Sequence, residues 1–195
     1  MFEWSDKFET KISTIDIQHR QVLMTINELA LCCKNNNPSE AVIDKALQEI
    51  NAYGKKIFAA EEGLMIYAKV DMRHIRLHRM EHQSFVYDAS NLTFDSSSPA
   101  DLIESSETLV RFLTSWWTYH ILGIDRAMAA QIFAIKQGAT PEQAYESWHT
   151  VKHDAATTRL ILESVLDLWR DSTKRCRAME EKLASQVKIP RPYSR

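Results

Sequence analysis

The sequence predicts an all-α protein, an up-down-up-down four-helix bundle with a C-terminal helical extension. Three observations predict it. Only four glycines and five prolines punctuate 195 residues, so the chain has few places to turn. Helix-starting and helix-ending residues recur at long intervals, joined by short links that make consecutive helices antiparallel neighbours. No stretch keeps the two-residue alternation of a half-buried strand.

The first helix opens at "STID", where Ser13 and Asp16 form a capping pair, and runs to about Asn35. "NNNPSE" breaks the chain, and Pro38 suits the first turn of a second helix reaching about Lys69. "VDM" separates a third helix, Met72 to Asn91. In "TFDSSSPAD", Ser98 is a cap with Pro99 behind it, and a long fourth helix runs from Ala100 to Gln137. Gly138 stops it, and "TPEQ" starts a fifth helix from Thr140 to about Val187. The bundle is assigned to residues 1–130 and the extension to 131–195.

Bulk properties narrow the function. Acids and bases are intermixed at a net charge of −2, which leaves no basic footprint for nucleic acid. No apolar run approaches the length of a membrane span. The opening "MFEWSDKFET" lacks the basic head and apolar core of a secretory signal. Cys32, Cys33 and Cys176 show no CxxC spacing and read as reduced thiols of a cytoplasmic protein.

In "RHIRLHRMEH", His74, His78 and His82 follow one another at four-residue steps on one helix face. One step rises about 6 Å, so an adjacent pair can grip a single ion, whereas all three span about 12 Å and cannot. The bland alternative is a recurrence of boundary histidines. Other donors at the same height decide against it. His19 on the first helix, Glu61 on the second, His78 and His82 on the third, and His120 and Asp125 on the fourth all fall at one level. Nitrogen and carboxylate donors inside a bundle, without thiolates, suit iron or manganese, and carboxylates can bridge two ions.

"IDIQHRQVL" (15–23), "FAAEEGLM" (58–65), "HRMEHQSF" (78–85) and "WWTYHILGID" (116–125) resemble, in order, the four helix signatures of the bacterial hemerythrin family. Trp4 in "FEWSDKF" is similar to the N-terminal arm of that family. The resemblance implies a non-haem di-iron centre, oxo- or hydroxo-bridged, that binds O2. It implies that His78, His82 and His120 hold one iron, that Glu61 and Asp125 bridge, and that His19 holds the iron that receives O2. The family also has a histidine four residues before the bridging glutamate; this chain has Ile57 there. Where the family usually has leucine, three residues before the last histidine, it has Trp117. Ile57, Trp117 and Ile121 are therefore read as lining the O2-binding side. A depleted second iron invites solvent and loss of superoxide, so fast oxidation is expected in place of oxygen storage.

The remaining histidines carry blander readings. His74 is expected to face solvent, with the alternative that it replaces the missing ligand. His149 and His153, a second i,i+4 pair beside Glu146, are read as packing or surface residues, with a second metal or haem site as the alternative, and Trp116 as core. In the extension, Leu162, Val165, Trp169, Ser172, Cys176, Met179, Leu183 and Gln186 form a heptad seam flanked by charge. It is read as a homodimerising stalk distally, and alternatively as a helix packed back on the bundle. The fourth helix is expected to overshoot the bundle end by about 18 Å. A sensor bundle leading into a stalk resembles hemerythrin domains fused to diguanylate cyclases. That implies the N-terminal part of a cyclic di-GMP signalling protein. An enzyme reducing O2, peroxide or NO, and a simple iron or oxygen binder, are the competing readings.

Overall fold

A computed structural model describes residues 3–35, 39–90, 92, 98–149 and 153–186. The helical elements are a 3-10 turn (Asp6–Phe8), α1 (Ser13–Lys34), α2 (Glu40–Tyr67), α3 (Met72–Ser90), α4 (Pro99–Tyr119), a π-helical segment (His120–Asp125), α5 (Arg126–Lys136), α6 (Pro141–His149) and α7 (Ala155–Gln186). Among the described residues there is no strand, and no helix is long and apolar enough to cross a membrane.

The inward stripes are periodic. Ile15, His19, Val22, Ile26, Leu29 and Cys33 are buried on α1; Ile43, Ala46, Ile50, Gly54, Ile57, Glu61 and Met65 on α2. On α3 the stripe reads Ile75, His78, His82, Phe85 and Ala89. Steps of three and four residues keep each stripe on one helix face, and imidazoles and carboxylates take some of its places. α1 packs against α2 and α4, and α2 against α3. The Phe85 ring, 4.3 Å from that of Trp116, joins α3 to α4.

Several boundaries differ from the sequence reading, each for a local reason. α1 begins at Ser13, but its capping position is Ile12 and no side chain caps it. Asp16 is instead buried and accepts hydrogen bonds from the Thr10 backbone N–H and hydroxyl, both at 2.8 Å. It thereby ties down the N-terminal arm, where Trp4 lies 5.9 Å from Phe8 and under the Arg20 guanidinium. Pro38 lies outside the described residues, and Ser39 caps α2 by accepting from Val42 N–H. Ser98 and Pro99 start α4 as expected, and Thr140 and Gln143 form a reciprocal capping box at α6.

The single fifth helix is two helices. Asp154 accepts from the N–H groups of Ala156 and Thr157, both at 3.0 Å, and so starts α7 afresh. The break lets α7 run back along α4. Leu160, Ile161 and Leu168 pack on the main core, and Ser164 and Asp171 are buried. Arg111 of α4 holds Asp171 through two N–H donations of 3.1 Å, and Arg175 reaches Asp88 of α3 at 3.1 Å. The seam from Leu162 to Leu183 faces outward, with Trp169 66% exposed. The overshoot beyond Asp125 is not free: Met128 and Ile132 of α5 form a second core with Met65, Val70 and Ile75.

Candidate metal centre

The two cores leave a layer between them. On α2, Phe58 belongs to one core and Met65 to the other, with Glu61 between; on α3 the order is Ile75, His78, His82, Phe85. The α4-to-α5 rod reads Trp116, Ile121, Asp125, Met128. His19, Glu61, His78, His82, His120 and Asp125 meet in this layer, all buried.

Their distances define two groups. Glu61 turns Oε1 to His19 Nε2 (3.2 Å) and Oε2 to His82 Nε2 (3.1 Å) and His78 Nε2 (3.4 Å). Asp125 turns Oδ2 to His19 Nε2 (3.3 Å) and Oδ1 to His78 and His120 Nε2 (3.2 Å each). Each carboxylate thus offers one oxygen to either side. Glu61, His78, His82 and His120 form one donor cluster; His19, Glu61 and Asp125 form the other.

The arrangement fits cations better than hydrogen bonds. Glu61 Oε2, both Asp125 oxygens and His78 Nε2 lie within ion-pair range yet make no properly angled hydrogen bond. The Nε2 atoms of His82 and His120 face each other at 3.2 Å. Two nitrogens each about 2.1 Å from one ion, at roughly a right angle, would be about 3 Å apart. The donors aim at shared points more than at one another.

The π segment makes the fourth rod's contribution possible. His120 and Asp125 are five residues apart, which in an ordinary α-helix puts them about 140° apart around the axis. The wider i→i+5 turn brings both inward. A run read as continuous α-helix carries no sequence signal of this, apart from the spacing itself.

Electrostatics tell the same story. Burial pushes the Glu61 carboxyl up, but His19, His78 and His82 pull it well below its ordinary value. Burial and Glu61 raise Asp125 while His120 and His78 lower it, leaving it at about 2. Burial lowers His78, but Asp125 and Glu61 raise it to about 9; for His120 burial wins and the pKa falls. Two buried carboxylates stay ionised and demand positive charge between them.

Aromatic rings fix the imidazoles. Phe58 stacks on His82 at 3.9 Å, and Trp116 stacks on His120 at 4.3 Å, so Trp116 is core and also holds a site histidine. Ile57, Trp117 and Ile121 are buried in the adjoining core, and Trp117 stands edge-on to His19, 5.9 Å between centroids. The sequence reading missed Glu62, whose Oε1 lies 3.1 Å from His82 Nδ1. Its place beside Glu61 in "AAEEG" was the available signal.

His74 corrects an expectation. It is 3% exposed, one turn before His78 on the same inward stripe, with the two rings edge to face at 5.5 Å. It lies outside both donor clusters. His149 and His153 are not a pair on one helix: α6 ends at His149, and His153 precedes α7 with its ring 5.4 Å from Trp148. Glu146 instead accepts from Arg73 at 2.7 Å.

The family model described as hemerythrin HHE cation binding domain matches residues 10–132. This chain belongs to the hemerythrin family. Among curated hemerythrins, it is 27% identical to a bacteriohemerythrin of Clostridium acetobutylicum over 132 residues, covering 65% of this chain and 97% of that protein. It is 27% identical to a bacteriohemerythrin of Stenotrophomonas maltophilia over 131 residues, 67% of this chain and 81% of that one. A hemerythrin-like protein of Naegleria gruberi is 28% identical over 124 residues, 64% and 87% of the two chains. No solved structure matches the chain. The matched region spans the bundle and both donor clusters, so the cluster belongs to the part of the chain shared with hemerythrins.

Proposed function

We propose that the cluster holds two non-haem irons and that the chain is an O2- or redox-sensing domain. His78, His82 and His120 would hold one iron, His19 the other, and Glu61 and Asp125 would serve both. The observation that carries this is the division of each carboxylate, one oxygen toward His19 and one toward the other three imidazoles. When bound, such a pair supplies a reduced state that takes up O2 and an oxidised state that does not. The chain's own residues do the rest. Phe58 and Trp116 hold two imidazoles in place, the apolar layers above and below exclude water, and Ile57 withholds the extra nitrogen donor that the family resemblance leads one to expect.

With His19 as the one imidazole on its side, an iron held there would be bound less firmly than one held by His78, His82 and His120. We therefore infer a centre that changes oxidation state readily. Residues 1–130 are taken as the metal-binding unit and 131–195 as a helical extension that signals as a cytoplasmic homodimer through its outer seam. A diguanylate cyclase is the output class suggested by that layout.

Iron quantification with absorption spectra of oxidised and reduced protein tests the reading. Two irons per chain and oxidation by O2 within minutes are expected. An oxygenated spectrum stable for hours would overturn the sensing assignment, and catalytic consumption of peroxide or NO would favour the enzyme reading.

A further inference from the structure

We propose that Glu62 is a positioning residue that sets the metal affinity and reduction potential of the centre through His82. The inference rests on the reading of the six-residue cluster as an iron site.

His82 differs from the other site histidines at its far nitrogen. The Nδ1 atoms of His19, His78 and His120 are buried without a hydrogen-bond partner among the described residues. His82 Nδ1 alone meets a carboxylate, Glu62 Oε1 at 3.1 Å. An ionised carboxylate only accepts, so this contact puts the imidazole proton on Nδ1 and leaves the Nε2 lone pair facing Glu61 and His120. Phe58, stacked parallel on the ring at 3.9 Å, removes the remaining rotational freedom. A carboxylate behind an imidazole makes it a stronger donor and stabilises a more oxidised metal in front of it.

The carboxylate is itself tuned. Its other oxygen accepts from Arg79 Nε at 2.8 Å, and Arg79 lies one turn before His82's neighbour Gln83 on α3. The guanidinium therefore opposes the field that Glu62 exerts on His82. Glu62 and Arg79 are both partly exposed, and Glu62 lines a groove of about 620 Å³ between α2 and α3, with Phe58 and His82 among its walls. Through Glu62, this groove links a solvent-facing charge pair to the buried cluster by one hydrogen bond.

The test uses the full chain loaded with ferrous iron, comparing wild type with Glu62→Gln, Glu62→Ala and Arg79→Gln. Iron dissociation constants by chelator competition and midpoint potentials by spectroelectrochemistry are the readouts. Glu62→Ala is expected to weaken iron binding by about 10- to 100-fold. Glu62→Gln, which keeps an acceptor but not the charge, should raise the potential, and Arg79→Gln should lower it. Opposite signs are the signature, because loss of packing alone would move both variants the same way. Unchanged affinity and potentials in iron-loaded variants, or shifts of the same sign, would overturn the inference while leaving the iron site standing. Wild-type protein that takes up no iron would remove the site reading itself, and this inference with it.

Discussion

Isoleucine 57 occupies a fully buried place on α2, one turn before Glu61 and in the same apolar layer as Trp117. The family resemblance leads one to expect a nitrogen donor there on the His19 side of the cluster. Ile57→His is expected to slow oxidation of the reduced protein by O2, measured by stopped-flow absorption; an unaltered rate would show that this position does not tune the centre. Trp117 is the largest fully buried side chain, so Trp117→Ala should cost about 3–5 kcal/mol in urea unfolding, with the loss spread between burial and cavity. The milder Trp117→Leu restores the residue that the family resemblance leads one to expect, and combined with Ile57→His it gives the new imidazole room to turn.

At the scale of the element, the π segment is the decisive piece. Inserting one alanine after Gly123 would carry Asp125 about 100° further around the axis and away from the cluster. The variant should keep its helical circular dichroism but lose most of its iron. Gly123→Ala is the control: an added Cβ meets only the Tyr119 ring at 3.9 Å, so iron content should not change. Caps act more simply. Ser98→Ala removes the acceptor for Asp101 N–H at the start of α4 and should cost about 1 kcal/mol in the same unfolding assay.

For the molecule as a whole, α7 has two faces with separate partners. Its inner face is fastened to the bundle by Leu160, Leu168 and the Arg111–Asp171 pair, and α4 leads directly into the π segment. Arg111→Ala leaves a buried carboxylate without its cation, and about 1–3 kcal/mol of stability should go with it. The outer face carries Leu162, Val165, Trp169, Met179 and Leu183 at heptad spacing, all exposed. If that seam joins two copies, Trp169→Glu should turn dimer into monomer in sedimentation analysis without changing iron content. A monomeric wild-type chain would refute the seam's role.

The four rods of the bundle, their order and the six polar side chains that meet in the buried layer were legible in the sequence, because a stripe at steps of three and four residues fixes a face wherever it occurs. Ile57 and Trp117 stood out only against the hemerythrin motifs that the chain resembles, where other residues are expected at those places. The rest required the folded chain. His74 is buried because the inward stripe continues past His78, and no single helix shows where its cover ends. The π turn depends on two side chains five apart both finding partners inside, so only the assembled cluster reveals it. The start of α7 hinged on Asp154 turning to the N–H groups ahead of it, in competition with a helix that the pattern alone would have continued. Which face of α7 meets the bundle was likewise a contest between two apolar stripes on one helix, decided by the surface that α4 presents.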